Sequence, residues 1–408
     1  MHIPPLIKRN TFLFALSQSF TGAGMSMGYG IGPLMVVALT GSASLAGLSV
    51  GLFGLSRFVV AYPVGKISDA YGRKPGILLG LMLALVGALA LWQSMAVTST
   101  WLLALGMLLF GMGMNAAQQM RVAATDMFPP SMRAQALGYV ALGSLAGLLM
   151  MPVLIGGGEY LSLHVGGHAL GLPWLLLPLL ILPGMAVVAL VRPDPKQIGM
   201  NLSAYYPDYV PPRRAEGAPV RAFSPRELLR DPRMRLAIVS NCAGQGNMAI
   251  VMVLTALVLH HHGHSLTAIA FSHLWHSIGM FAFTVPLGKL ADRYGREWVM
   301  YPGVATTLAG AILVTYTTPF LLITIGTFLV GIGWAAANVA STALIADRYE
   351  SAERGRAIGV ADSFAGGAAV LAAIVTGPLI DYSGLPAAGL TAVLVAAVPL
   401  IMRAMTRV

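Results

Sequence analysis

Apolar runs of roughly 20 residues or more recur about twelve times along the chain, and no other feature limits its fold so severely. The runs cover 11–38, 43–64, 75–95, 101–124, 135–157, 171–191, 235–260, 266–287, 298–316, 319–345, 357–380 and 385–403. Inside a bilayer every backbone N–H and C=O must find its partner within the structure, so segments of this length cross as α-helices. Only 10% of the 408 residues are charged, where a soluble domain carries roughly a quarter. The expected fold class is an all-α membrane protein with twelve transmembrane helices.

Lysine and arginine set the expected orientation. Lys8 and Arg9 precede span one, Lys66, Arg73 and Lys74 follow span two, and Arg121 and Arg133 flank the next loop on that side. Nine more basic residues lie from Arg192 to Arg235. Lys289, Arg293 and Arg296 follow span eight, Arg348, Arg354 and Arg356 follow span ten, and Arg403 and Arg407 close the chain. Arg57, inside span two towards its cytoplasmic half, is the one left over, and the loops of the opposite face contain none. This asymmetry predicts a multi-pass protein with both termini in the cytoplasm. It also explains the net charge of +10 without a nucleic-acid partner. MHIPPLIKRN has no small-residue cleavage site and reads as a cytoplasmic tail. The single cysteine, Cys242, excludes an internal disulfide and a cysteine-based zinc site.

The stretch 192–234, with YYPDYVPPRRAEGAP, reads as a cytoplasmic linker between a first bundle over 1–191 and a second over 235–408. GKISDAYGR (Gly65–Arg73) and GKLADRYGR (Gly288–Arg296) agree at six of nine positions, 223 residues apart. Asp126, Arg133 and Gly138 are echoed by Asp347, Arg354 and Gly359 at an offset of 221. Two homologous six-span halves are a transporter architecture.

On these residues the chain resembles the major facilitator superfamily, whose signature loop reads G-x-x-x-D-x-x-G-R-K/R. Gly65, Asp69, Gly72, Arg73 and Lys74 match in full. Gly288, Asp292, Gly295 and Arg296 match in the second half, where Glu297 replaces the last basic residue. The resemblance implies two pseudo-symmetric six-helix bundles, with Asp69, Arg73, Asp292 and Arg296 gating the passage between states.

Met248 and Met252 in span seven, and His276 and Met280 in span eight, are each four residues apart, so each pair shares a helix face. Asn241 and Gln245 extend the first stripe and His273 the second. Both pairs lie roughly 12–18 Å deep, counted from the outer span ends at 1.5 Å per residue. Thioether and imidazole suit a soft ion such as Cu(I). Methionine is also ordinary filler of apolar helices, but this is the only M-x-x-x-M among 23 methionines, and an intramembrane histidine is a functional candidate by default. Six of nine histidines lie on the face without basic residues: His260, His261, His262 and His264 after span seven, His164 and His168 beside Glu159 before span six. Such a His-rich tract captures metal ions or is simply solvated. Met25 in span one is a further ligand or a packing residue, and Cys242 lies about 100° off the methionine stripe. Asp362 and Arg57 either carry protons or lie near span ends.

M-x-x-x-M followed by H-x-x-x-M is similar to the pattern of the Cox-assembly-like copper importers within the superfamily, matched here by Met248, Met252, His276 and Met280. That resemblance implies copper uptake across the bacterial inner membrane for assembly of a cbb-type haem-copper oxidase. Copper is then the transported substrate, Cu(I) favoured, and copper chaperones are the expected partners besides the bilayer. No Walker loop, dinucleotide fingerprint or catalytic nucleophile is present, so no enzyme activity is expected. Two other readings remain open. One is an organic-solute permease with His276 as a proton relay, the other a copper-binding receptor or scaffold that moves nothing.

Overall fold

A computed structural model describes residues 3–129, 132–209, 225–348 and 351–406, apart from a few side chains within helices. Among the described residues every regular element is helical. The first part comprises α1 (Pro5–Thr40), a 3-10 turn (Ala43–Leu45), α2 (Gly47–Tyr71), α3 (Arg73–Ala96), α4 (Thr100–Ala117), α5 (Gln119–Asp126), α6 (Arg133–Leu148), α7 (Met150–His164), α8 (Leu172–Leu176) and α9 (Pro178–Ala189). Short helices α10 (Pro195–Met200), α11 (Leu202–Tyr205) and α12 (Pro225–Arg230) lie in the hydrophilic stretch. The second part comprises α13 (Pro232–His261), α14 (Leu266–Ala282), α15 (Thr284–Tyr294), α16 (Glu297–Tyr316), α17 (Phe320–Arg348) and α18 (Ser351–Thr406).

Ten helical stretches of the described residues are long and apolar enough to cross a membrane. One of them, Val360–Met405, has 46 residues. Straight, it would reach roughly 70 Å, about twice the hydrocarbon thickness. The backbone leaves helical geometry at Gly384, where φ is 79°, a conformation that glycine adopts without penalty. The two arms on either side of Gly384, together with α2, restore the twelve spans expected from the sequence. Several spans are built from two helices in succession, as α4 with α5 and α14 with α15.

Local chemistry fixes the ends of the helices that carry the candidate site. Asp231 caps α13 by accepting from Arg233 N at 2.9 Å and Met234 N at 3.4 Å, with Pro232 at the first helical position. Beyond His261 the chain turns through Gly263 at φ 76°. Ser265 then caps α14 by accepting from Ala268 N at 3.2 Å.

The internal repeat extends into the packing. A Cβ on Gly80 or Gly87 of α3 would collide with α4, at Ala116 and Phe110 respectively. A Cβ on Gly303 or Gly310 of α16 would collide with α17, at Ala336 and Gly326. Both glycine pairs obey the 223-residue offset. In lipid, where apolar burial alone does not drive helices together, such small residues let backbones approach closely.

By its contacts the chain divides into two compact units, Met1–Gly28 with Leu52–Pro219, and Tyr29–Gly51 with Val220–Val408. The stretch 29–51, which the sequence places in the first bundle over 1–191, groups with the second unit. Ala46 and Val50 are buried in one cluster with Ile250, Met252 and Ala373. The hydroxyls of Ser42 and Ser44 donate to Asp381, the former at 3.3 Å.

Candidate functional site: the mid-membrane layer of α13 and α14

Met252 on α13 and His276 on α14 are both almost fully buried, 3% and 2% exposed. Met248 and Met280 are half-buried. In α14 His276 points toward α17, and its Nδ1 lies 2.9 Å from the carbonyl oxygen of Thr327. A carbonyl only accepts, so Nδ1 carries the proton and Nε2 keeps its lone pair. That Nε2 is buried and has no hydrogen-bond partner. A buried nitrogen with a free electron pair is costly unless something pairs with it, and a metal ion is one such partner.

His273, one turn earlier and expected to add to the donor set, is arranged differently. Its Nδ1 faces Ile269 O at 3.0 Å and its Nε2 faces Met252 O at 3.4 Å. A neutral imidazole carries one N–H and donates to only one of these carbonyls, but both nitrogens are turned to backbone oxygens rather than to an open site. Its Nε2 edge lies against the α13 backbone at Met252.

The other expected residues have their own surroundings. Met25 is half-buried in the first unit. Cys242 is a half-buried thiol that lines an apolar cavity of about 370 Å³ with Ala243, Gly246, Leu371 and Val395, between α13 and the two arms of α18. Gln245 is half-buried, and Asn241 accepts from Asn338 Nδ2 on α17 at 3.1 Å. Asp362 and Arg57 are exposed side chains.

On the histidine-bearing face, His260 and His261 are exposed. His262 donates from Nδ1 to Val258 O at 2.8 Å, with its ring 5.8 Å from that of His261. His264 lies against Phe320, ring centroids 5.3 Å apart. In the first unit His164 stacks on Tyr160 at 4.0 Å and donates to its carbonyl at 2.8 Å. His168 accepts from Leu170 N at 3.2 Å. Among the described residues no group of three or more His, Cys, Asp or Glu side chains converges into a metal cage.

The signature loops are organised by ion pairs. Arg73 Nε donates to Asp126 Oδ2 at 2.7 Å. Asp194 accepts from Arg73 N and Lys74 N at 3.0 and 2.9 Å and so caps α3. Lys74 Nζ reaches the carbonyls of Ala189 and Val191. The side chain of Asp69 lies outside the described residues. In the second unit Arg296 pairs with Asp292 and, at 3.0 Å, with Asp347. Those two hydrogen bonds raise the Arg296 pKa still further above the physiological range. Asp126 and Asp347 were visible in the sequence as a repeated pair, but their partnership with the motif arginines was not.

Twelve helical spans and a duplicated half define a polytopic membrane transporter fold. The family model described as Major Facilitator Superfamily matches residues 14–272 and 236–407, and the chain belongs to that superfamily. It is 28% identical over 380 residues to the uncharacterized MFS-type transporter YdeG of Bacillus subtilis, covering 91% of this chain and 87% of that one. It is 27% identical over 395 residues to the riboflavin transporter RfnT of Brucella anthropi, covering 92% and 90%. The crystal structure of the nucleoside transporter NupG shares the fold at a TM-score of 0.68, with 14% identity and 98% of each chain covered. That of the D-xylose-proton symporter shares it at 0.64, with 15% identity and 97% and 95% covered.

Proposed function

We propose that this transporter imports copper across the bacterial inner membrane by alternating access, with both termini in the cytoplasm. The observation that carries the reading is His276: fully buried at mid-depth, fixed through Nδ1 and left with an unpartnered Nε2. It is the nitrogen of an H-x-x-x-M motif that follows an M-x-x-x-M motif on the preceding span. Met248, Met252, His276 and Met280 are the substrate ligands, and this thioether-rich set favours Cu(I). Thioethers exchange readily, which release on the far side requires. His261, His262 and His264 raise the local copper concentration at the entrance, and Met25 is a transient ligand. The Arg73–Asp126 and Arg296–Asp292–Asp347 pairs gate the two halves. Copper chaperones receive the ion for assembly of a cbb-type haem-copper oxidase. The test is accumulation of radioactive copper in cells expressing wild type or Met248→Ala, Met252→Ala, His276→Ala and Met280→Ala at equal levels. Uptake is expected to fall in each variant, and wild-type uptake in all four overturns the assignment.

A second reading draws on the similarity to RfnT, which spans 92% of this chain. Here the cargo is a planar organic solute such as a flavin, the methionines form an apolar wall, and His276 relays a proton. Riboflavin uptake that survives copper chelation, with no copper accumulation, selects this reading. A receptor that binds copper without moving it would show binding but no time-dependent internal copper in proteoliposomes.

A further inference from the structure

We infer that Thr327 and Gly331 of α17, together with Thr255 of α13, are positioning residues that hold the His276 imidazole in its ion-binding orientation. The inference rests on the copper reading and deepens it. Neither threonine nor the glycine belongs to a metal-ligand pattern, and each acts through another group.

Thr327 supplies the backbone carbonyl that receives His276 Nδ1–H at 2.9 Å. A helical carbonyl already accepts one i→i+4 bond, and its second lone pair is what the imidazole uses. This bond selects the tautomer with the free pair on Nε2. Gly331, one turn further along α17, makes the approach possible. A Cβ there would fall inside van der Waals contact with the His276 carbonyl oxygen and 3.2 Å from Met280 N. Gly279 on α14 answers it, since its Cβ would lie 2.7 Å from Phe328 O. The two backbones meet at the turn that carries both ligands of α14.

Thr255 ties the same turn of α17 to α13. The Thr327 hydroxyl donates to Ile323 O at 2.7 Å, so the 3.3 Å contact between Thr327 Oγ1 and Thr255 Oγ1 is a bond that Thr255 donates. Both threonines are fully buried. Thr255 lies three residues, about one helical turn, beyond Met252. Helices α13 and α17 run antiparallel here, as shown by the pairs Thr255 with Thr327 and Asn241 with Asn338. That register sets Met252 level with the stretch Thr327–Gly331 and Met248 just beyond it. Helix α17 therefore connects the sulfur face of α13 to the imidazole of α14 without contributing a ligand of its own, in the way that outer groups orient metal-binding histidines elsewhere.

The experiment measures Cu(I) affinity of the purified full-length transporter in nanodiscs by competition with a chromophoric Cu(I) chelator, alongside copper-edge X-ray absorption. Variants are Gly331→Ala, Thr327→Val, Thr255→Val and His276→Leu, with Gly331→Ala also made in the His276→Leu background. Gly331→Ala is expected to weaken binding about tenfold or more, the usual cost of losing an orienting group. It should remove the nitrogen scatterer while keeping the sulfurs, and have no further effect once His276 is gone. The threonine variants leave the Thr327 carbonyl in place and remove only the hydroxyl bond that ties α17 to α13. They keep their shape and so their packing, and are expected to lose about threefold, wild-type affinity in both striking Thr255 and the Thr327 hydroxyl from the positioning set. They keep the inference testable should Gly331→Ala not fold. Wild-type affinity and an intact nitrogen scatterer in Gly331→Ala, or equal losses with and without His276, overturn the positioning role. Wild type that binds no Cu(I) overturns the copper reading itself, and the inference with it.

Discussion

The offset of 223 residues that relates Gly65 to Gly288 also relates Phe53 to His276 and Met25 to Met248. The same register sets Tyr29 against Met252 and Arg57 against Met280. At equivalent positions of the repeat, then, the two halves carry different interiors. In the first unit Phe53 and Phe110 are buried and meet edge to face, ring centroids 6.2 Å apart, and Phe110 meets the buried Trp174 in the same way at 5.0 Å. Gly24 and Gly28 let α1 lie directly against these rings, since a Cβ on either would strike them at 2.8 and 2.6 Å. In the second unit the place of Phe53 is taken by an imidazole with a free electron pair. Edge-to-face aromatics satisfy one another and leave nothing for a ligand. A buried nitrogen without a partner does the reverse. The glycine contacts that make the fold are common to both units, whereas the repeat-equivalent interiors differ, with packed aromatics in the first unit and a buried nitrogen with an unpartnered lone pair in the second.

The strongest test of this contrast moves the first-half residue into the second half. His276→Phe keeps the site apolar and of similar bulk, so the transporter is expected to fold. Copper uptake is expected to drop to the level of cells without the transporter. Uptake above that background would mean the imidazole is not the feature that separates the halves. Next in size are Met248→Leu and Met252→Leu. Volume-conserving swaps of this kind usually cost less than about 1.5 kcal/mol of stability, so a roughly tenfold loss of Cu(I) affinity with normal expression isolates the thioether. An equal effect from Met25→Leu would give the first half a share in binding and blur the comparison. Phe53→Ala is expected to act on stability alone. It opens a cavity against Phe110, worth about 3–5 kcal/mol for such truncations in soluble cores. Thermal inactivation in detergent should come earlier while Cu(I) affinity remains unchanged.

How much of this was legible beforehand follows from which interactions are local. Span length, the signature loops and the methionine and histidine stripes are set by neighbours within a few residues, so composition and spacing disclose them. The break at Gly384 belongs with them, since the spans 357–380 and 385–403 leave it in the gap between two apolar runs. His273 and His276 are the same residue type one turn apart on one helix, and spacing alone ranks them as equals. Their fates are decided by other helices, since His273 meets the carbonyl of Met252 and His276 that of Thr327. A backbone carbonyl has no letter in the sequence, so the orienting partner was invisible. The packing of 29–51 with the second unit is likewise a matter of tertiary contact that no local pattern records.

The smallest expected effect concerns the two signature loops, which share a motif but not an environment. Arg73 and Asp126 have side chains only 21% and 25% exposed, and Asp194 braces the same turn. Arg296 is equally shielded, but its partners Asp292 and Asp347 are 68% and 58% exposed. Water and salt screen a charge in proportion to its exposure, and exposed pairs contribute at most about 1 kcal/mol. Asp126→Asn is therefore expected to lower the thermal stability and the uptake rate more than Asp347→Asn. Arg296 also retains Asp292 when Asp347 is neutralised. Raising the ionic strength from low salt to about 0.5 M, where the screening length shrinks to a few ångströms, should close most of the difference between wild type and Asp347→Asn and little of that for Asp126→Asn. Equal losses in the two variants at low salt, or equal sensitivity to salt, would mean that the loops are interchangeable and that the asymmetry of the halves is confined to the membrane interior.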